Sequence, residues 1–202
     1  MRKQIVLASA SPRRKEILEQ MGVSFVIQPA CGEEVITCTD PEEVVKELSL
    51  QKAREVAEKT EQPSLVIGAD TVVACDGEIM GKPVDEADAF RMLKRLQGDT
   101  HMVYTGVTVI DTESKETLLN VAEGTEVSMY PMTEEWIWSY IRTSEPMDKA
   151  GAYAIQGGCG PYIRGIHGEY SNVVGFPAAR FYQELLKQGI DVLKTEEDGQ
   201  NV

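Results

Sequence analysis

The chain has 202 residues, 42% of them hydrophobic and 26% charged, and its 33 acidic and 20 basic side chains give a formal net charge of -13. This composition is typical of a globular protein and excludes a disordered or fibrous chain. The excess of acidic groups repels a phosphate backbone, so we expect no nucleic acid polymer as a partner. A small anion can still bind wherever positive charge is concentrated.

Four cysteines without a Cys-x-x-Cys pair and two isolated histidines predict neither a disulfide framework nor a zinc site. The N-terminal apolar run ends at Ser9, which is too early for a signal sequence, and no apolar run approaches membrane-spanning length. We therefore expect a cytoplasmic protein with no membrane partner, and we leave a homodimer open.

Strand and helix patterns alternate along the chain. Short apolar or β-branched runs predict strands, capping residues predict helix starts, and one Asp-Gly pair predicts a hairpin turn. The predicted elements, in order, are a strand at 5–8, a helix from 12 to about 22, a strand at 23–28, a helix from 41 to about 59, strands at 65–75 and 78–82, a helix from 86 to about 96, strands at 101–111 and 117–130, a helix from 134, a strand at 162–166 and a helix at 177–189. This alternation predicts an α/β domain over 1–193, followed by a polar tail at 194–202.

Three cations, Arg13, Arg14 and Lys15, follow Pro12 in the first turn of the first predicted helix. The helix dipole is already positive there and free backbone N–H groups point outward, so each cation should destabilise the helix. A bound anion would remove this conflict, because helix N-termini that follow a strand bind phosphate well. The alternative is a solvated basic turn, and charge alone does not decide between the two.

Lys52 interrupts the apolar stripe of the second predicted helix, where it lies four residues from both Leu48 and Val56. A lysine that points toward the core needs an anionic partner. The alternative is a lysine whose alkyl chain follows the stripe while its ammonium group reaches water.

Asp70 lies in a β-branched run that otherwise predicts a buried strand, and a buried carboxylate must be paired, protonated or bound to metal. Closing the predicted hairpin places Lys82 opposite Thr71 and one position from Asp70. An internal Asp70–Lys82 ion pair is therefore the alternative to a functional site. Glu33 and Glu34 follow the second strand, where they could supply a metal ligand or form a solvated acidic loop.

Five segments carry most of these unusual residues. They are Leu7-Ala8-Ser9-Ala10-Ser11-Pro12-Arg13-Arg14, Gln51-Lys52-Ala53, Gly68-Ala69-Asp70-Thr71-Val72-Val73, Gly81-Lys82-Pro83 and Asp148-Lys149-Ala150-Gly151-Ala152-Tyr153-Ala154-Ile155-Gln156-Gly157. In order and spacing, from Ile5 to about Leu186, they closely resemble the Maf family of nucleoside triphosphate pyrophosphatases. The resemblance implies a single two-lobed domain with a central twisted mixed sheet flanked by helices, similar to inosine triphosphate pyrophosphatases.

The resemblance also implies the reaction and its residues. A nucleoside triphosphate would be hydrolysed to the monophosphate and pyrophosphate with a divalent metal cation, Mg or Mn. Asp70 matches the family's proton acceptor, and Glu34 is the acid of its pair expected to work with Asp70 on the metal. The residues expected to face the phosphates are Ser9, Arg13, Arg14, Lys52 and Lys82.

Three positions separate subgroups of the family, and here they hold Arg13, Thr71 and Gln156. This combination resembles members that hydrolyse dTTP and UTP, whereas the 7-methyl-GTP subgroup has Trp, Gln and Glu there. Ala154 and Ser171 stand where many relatives have Gly and Tyr, which leaves the breadth of specificity open.

Two other functions stay open at this point. A nucleotide-binding regulator of cell division or septum formation would use the same phosphate site without turnover, and a cleanup enzyme would cleave non-standard purine triphosphates. A carboxylate beside a triphosphate is electrostatically costly unless a metal or a proton transfer uses it, so Asp70 favours an enzyme. Whether Asp70 is the direct base or a metal ligand is also left open.

Overall fold

The computed structural model describes residues 3–193, and the predicted tail at 194–202 lies outside them. The strands are β1 Gln4–Leu7, β2 Val26–Ile27, β3 Ser64–Cys75, β4 Glu78–Met80, β5 Thr100–Asp111, β6 Thr117–Met129 and β7 Ile163–His167. The α-helices are α1 Pro12–Gln20, α2 Pro41–Lys59, α3 Glu86–Leu96, α4 Glu134–Ile141, α5 Tyr170–Val174 and α6 Ala178–Lys187. The predicted order is confirmed, but β2 is shorter than predicted and the short helix α5 was not predicted.

All seven strands form one mixed sheet in the order β2-β1-β3-β5-β6-β7, with β4 paired to a separate stretch of β3. Strand β1 is parallel to β2 and β3, whereas the remaining pairs are antiparallel. Helix α2 covers one face, and α1 and α6 pack on the other. The expected α/β architecture is thus confirmed. Within residues 3–193, no helix combines the length and apolar content needed to span a bilayer.

Strand β3 is longer than the neighbours on one of its edges, and this leaves an opening in the sheet. Strand β1 pairs with β3 only as far as Leu7 opposite Ile67, and β4 begins to pair at Met80 opposite Val73. Between these points, residues 68–72 have no partner strand on that edge in the described part of the chain. Openings where neighbouring strands diverge are where α/β sheets bind ligands.

Helix α2 lies in direct contact with the sheet backbone because two strand residues opposite it are glycines. A methyl group on Gly68 would lie 2.2 Å from the carbonyl oxygen of Ser49, and one on Gly106 would lie 2.1 Å from that of Val45. The helix begins at Pro41, where the Asp40 side chain accepts hydrogen bonds from the first-turn N–H groups. This close approach places the middle of α2 beside the opening in the sheet.

The opposite face of the sheet carries an apolar core and a buried amide. Leu18 of α1 and Phe181 of α6 are fully buried against β1 and β3. The Asn172 side chain of α5 is also fully buried, and its amide donates to the Val103 carbonyl and the Thr125 hydroxyl, each at 3.0 Å. These bonds fix the short helix α5 to β5 and β6, although five residues cannot form a stable helix alone.

His101 on β5 is a buried neutral group whose protonation opposes folding. It is 3% exposed, its Nε2 is 2.8 Å from the Tyr153 hydroxyl, and its Nδ1 has no hydrogen-bond partner. Burial lowers the pKa of His101 from 6.5 to about 4. Below pH 6.5 the unfolded chain therefore binds a proton that the native protein does not, and the free energy of unfolding falls.

We predict that acidification from pH 6.5 to 4 removes about 3 kcal/mol of stability through His101 alone. The measurement is urea unfolding at several pH values for the wild type, His101→Leu and His167→Gln. The His101 variant should lose this part of the pH dependence, and the exposed His167 control should keep it. Parallel pH profiles for all three proteins would contradict the assignment.

We further predict that Gly68→Ala lowers the free energy of unfolding by about 1–3 kcal/mol, because the added methyl group would overlap backbone atoms of α2. Gly165→Ala on β7 is the matched control, since its methyl group would meet no atom within 4 Å. The control should be neutral or slightly stabilising in urea unfolding. Equal stability of the two variants would show that the packing of α2 on the sheet does not require glycine at position 68.

Candidate functional site

A cleft of about 860 Å³ lies at the opening beside β3, and it gathers residues from distant parts of the chain. Its wall includes the start of α1, the middle of α2, the loop after β4 and the segment that precedes β7. Every site residue predicted from the sequence lines this cleft: Ser9, Arg13, Arg14, Glu34, Lys52, Asp70, Thr71, Lys82 and Gln156. A second cavity, of about 240 Å³, lies near Lys3 and contains none of them.

Lys52 joins the two carboxylates of the cleft. Its Nζ forms an ion pair with Asp70 and another with Glu34, whose Oε1 is 2.8 Å away. The side chains of Lys52 and Asp70 are 18% and 13% exposed, whereas that of Glu34 is 51% exposed. Lys52 thus has the anionic partner expected of a coreward lysine, and the alternative of a solvated ammonium group is wrong.

The alternative Asp70–Lys82 ion pair is also wrong, because Asp70 pairs with Lys52 instead. Strand β4 ends at Met80, so the hairpin ladder stops before it reaches Lys82. Lys82 is exposed at the rim of the cleft, and no described residue forms a hydrogen bond or ion pair with it.

The loop that carries Glu34 has no regular structure, and α2 holds it in place. Three side chains spaced four residues apart on one face of α2 accept hydrogen bonds from loop N–H groups. The bonds run from Gly32 to Glu55 at 2.9 Å, from Val35 to Gln51 at 3.0 Å and from Thr37 to Glu47 at 2.9 Å. Glu34 therefore lines the cleft, while its neighbour Glu33 does not.

The N-terminus of α1 opens into the cleft without an internal cap. The Ser11 side chain forms no capping bond, Pro12 occupies the first turn, and no acidic residue lies in that turn. Of the three first-turn cations, Arg13 and Arg14 line the cleft, whereas Lys15 pairs with Glu19 at 3.6 Å outside it. The first turn thus presents two cationic side chains to the cleft and has no acidic residue of its own to balance them.

The guanidinium of Arg14 is held by the protein on three sides. It donates to the Gly175 carbonyl at 2.8 Å, to the Ser9 hydroxyl at 3.1 Å and to the Thr71 hydroxyl at 3.1 Å. Burial lowers the pKa of Arg14 from its ordinary value. The Thr71 hydroxyl also lies 2.9 Å from that of Thr105. Ser9, Arg14 and Thr71 therefore form one network on the face of β3 opposite Asp70.

Two cleft residues, Asp148 and Lys149, received no role from the sequence. Arg13 Nη1 lies 3.9 Å from Asp148, and Lys149 forms an ion pair with the same carboxylate. Lys149 also donates to the Glu145 carbonyl at 3.3 Å, and its side chain is only 11% exposed. Both residues belong to a segment that carries the family resemblance, which was the available signal.

Gln156 is exposed at the cleft, in a glycine-rich segment after the 3-10 turn at Ala150–Ala152. Ala154 also lines the cleft. Ser171 does not line it, because its hydroxyl lies between Glu169 and the first N–H group of α6. Of the two departures from the family pattern, only Ala154 thus touches the cleft.

The charge of the cleft is opposite in sign to the net charge of the chain. Five cationic side chains line it, Arg13, Arg14, Lys52, Lys82 and Lys149, against three carboxylates, in a chain with a net charge of -13. Cations that surround a carboxylate pair can bind a polyanion while a base or metal ligand stays beside it.

The comparisons with known proteins identify the family of the chain. Residues 4–188 match the model of the family described as Maf-like protein. A dTTP/UTP pyrophosphatase of Agathobacter rectalis is 57% identical over 94% of this chain and 99% of its own length. A dTTP/UTP pyrophosphatase of Thermococcus kodakarensis is 49% identical over 94% of this chain and 98% of its own.

A solved nucleoside-triphosphatase, a dITP/XTP pyrophosphatase of Mycobacterium abscessus, overlaps only partly. It aligns with 64% of this chain and 75% of its own, with 18% identity and a TM-score of 0.41. The family model and the curated relatives, by contrast, cover almost the whole chain. The chain belongs to the Maf family.

Proposed function

We propose that this protein hydrolyses nucleoside triphosphates between the α and β phosphates, with dTTP and UTP preferred, and releases the nucleoside monophosphate and pyrophosphate. The observation that carries the proposal is the cationic cleft in which Lys52 joins two carboxylates, Asp70 and Glu34. The curated relatives, named dTTP/UTP pyrophosphatases, support the substrate class. Arg13, Thr71 and Gln156 support the same choice.

The phosphate chain would bind between the N-terminus of α1 and the exposed rim of the cleft. Lys82 is exposed and the Arg13 side chain is 28% exposed, so these cations are accessible to phosphate oxygens, and the open first turn of α1 adds backbone donors. Arg14 and Ser9 would contact the phosphate chain from the inner wall of the cleft. Three of the five Arg14 N–H donors are bonded to the chain, so its charge attracts phosphate while its bonds fix Ser9 and Thr71.

A divalent cation fits the carboxylate pair. In residues 3–193 no group of three or more His, Cys, Asp or Glu side chains could hold a metal alone. Asp70 and Glu34 nevertheless match the one or two carboxylates with which proteins bind Mg²⁺ when substrate phosphates complete its shell. When bound there, Mg²⁺ or Mn²⁺ would neutralise charge on the phosphates and acidify a water.

The chain's own residues account for the rest of the reaction. A water oxygen attacks the α phosphorus, the bond to the bridging oxygen breaks, and pyrophosphate leaves with the electron pair. Asp70 either accepts the water proton directly or would serve as a ligand of the divalent cation. Arg13 and Lys82 stabilise the charge that grows on the phosphate oxygens.

Selection of the base would fall to Gln156. Its amide carries a donor and an acceptor, so it can pair with the adjacent carbonyl and N–H of uracil or thymine. Thr71 is small and leaves room beside it, and its hydroxyl is already engaged by Arg14 and Thr105.

We predict that Asp70→Asn lowers kcat by about 10²–10⁴-fold, because it removes the base or metal ligand at almost constant volume. Nucleotide binding and the melting temperature should change little, since Lys52 keeps Glu34 as a partner. Asp99→Asn, on an exposed turn outside the cleft, is the matched control. Activity of the Asp70 variant within threefold of wild type would exclude this role.

The deciding experiment is a panel of nucleotides in which pyrophosphate release is measured. We expect kcat/KM for UTP and dTTP to exceed that for CTP, ATP, GTP and ITP with Mg²⁺ or Mn²⁺, and to vanish with excess EDTA. Nucleotide binding without turnover would favour the regulator instead, and faster cleavage of ITP would favour the cleanup enzyme. Full activity with excess EDTA would show that the reaction does not require a divalent cation.

We also predict that Gln156→Glu lowers the ratio of kcat/KM for UTP to that for GTP by roughly tenfold or more, because a second acceptor then faces the base carbonyl. Gln20→Glu makes the same chemical change on an exposed part of α1 and should leave the ratio unchanged. An unchanged ratio in the Gln156 variant would remove this residue as the base reader.

A further inference from the structure

Two side chains behind the cleft wall hold both ends of the segment that carries Gln156. Tyr140, near the end of α4, accepts a hydrogen bond from the Ala154 N–H at 3.1 Å and donates one to Glu145 at 2.7 Å. Glu145 accepts in turn from the Gly158 N–H at 3.0 Å. The Tyr140–Glu145 pair therefore fixes the backbone two residues before and two residues after Gln156.

The glycines of this segment are explained by the same contact. A methyl group on Gly157 would lie 2.0 Å from Glu145 Oε1, and one on Gly158 would lie 3.1 Å from the Tyr140 ring. The carboxylate thus lies directly against bare backbone. These glycines serve close packing of the carboxylate, and their spacing does not match a phosphate-binding loop.

Neither residue of the pair lines the cleft. Tyr140 is 4% exposed, and burial together with the Glu145 carboxylate raises its pKa above the ordinary value. Its hydroxyl therefore stays protonated and remains a donor at neutral pH. Through its backbone carbonyl, Glu145 also accepts from Lys149 Nζ, a cation that does line the cleft.

Gln156 itself has no fixed orientation from side-chain bonds. Its amide is exposed, and it forms no hydrogen bond with another described residue. The direction in which it faces the cleft therefore depends on its backbone, and the backbone depends on Tyr140 and Glu145. A base reader must be held in place, because hydrogen bonds discriminate only when donors and acceptors are fixed.

We propose that Tyr140 and Glu145 are positioning residues for base selection, which hold residues 154–158 so that the Gln156 amide meets the pyrimidine base of a nucleoside triphosphate. This inference rests on the proposed function and deepens it. Loss of the pair should release Gln156 while the phosphate-binding cations and Asp70 keep their places. Selectivity should therefore fall more than turnover.

The test compares Tyr140→Phe, Glu145→Ala and the double variant with Glu135→Ala, an exposed carboxylate on the same helix as Tyr140. We expect each single variant to lower the ratio of kcat/KM for UTP to that for GTP by about fivefold to tenfold, mainly through KM for UTP. The double variant should lose little more than one single variant, because the residues act as a unit. The control should keep the wild-type ratio.

If both single variants had a lower melting temperature but an unchanged UTP-to-GTP ratio of kcat/KM, the pair would contribute only to stability. That result would overturn the inference. Wild-type protein that cleaves neither UTP nor dTTP would instead refute the proposed function, and base selection with it. An active wild type whose variants keep its ratio refutes only the positioning role. These results separate the two claims.

A structural measurement and one further variant test the positioning role even if one of the variants folds poorly. Amide hydrogen exchange at Ala154 and Gly158 should accelerate in Tyr140→Phe and Glu145→Ala but not in Glu135→Ala. Gly157→Ala leaves both side chains intact but places a methyl group on the carboxylate, so it should lower the UTP-to-GTP ratio as Glu145→Ala does. Wild-type exchange in the first two variants, or a wild-type ratio in the third, would overturn the inference.

Discussion

The contact between α2 and the sheet backbone is the constraint on which the rest of the site depends. Gly68 and Gly106 lie on adjacent strands, and neither leaves room for a methyl group under the helix. At this short separation Lys52, which projects from α2, reaches Asp70, which projects from β3. The same helix holds the loop of Glu34, so both carboxylates are placed by one packing contact.

Much of the fold could be predicted because its signals are local. Strand β3 is a β-branched run, α2 begins with Asp40 and Pro41, and the hairpin turn is an Asp-Gly pair. Helix α5 could not be predicted, since it has five residues and depends on the buried bonds of Asn172 to β5 and β6. Tertiary contacts stabilise α5, and a local pattern does not record them.

The candidate site was predicted where a residue conflicts with its local surroundings. A lysine in an apolar stripe, a carboxylate in a buried strand and cations at a helix start are each costly alone, and these conflicts identified Lys52, Asp70 and Arg13. Glu145 carries no such conflict, because a glutamate before a proline is ordinary in sequence. Its contacts with Tyr140 and Gly158 exist only after folding.

The ion pairs of Lys52 also balance the charge of the cleft in the ligand-free protein. Two neighbouring carboxylates without a cation between them would repel each other, which costs stability. The Lys52 ammonium group contacts both carboxylates and thus supplies positive charge between them in the free protein. Lys52 is therefore a built-in counterion. The folded protein balances the charge of these two carboxylates before any ligand binds.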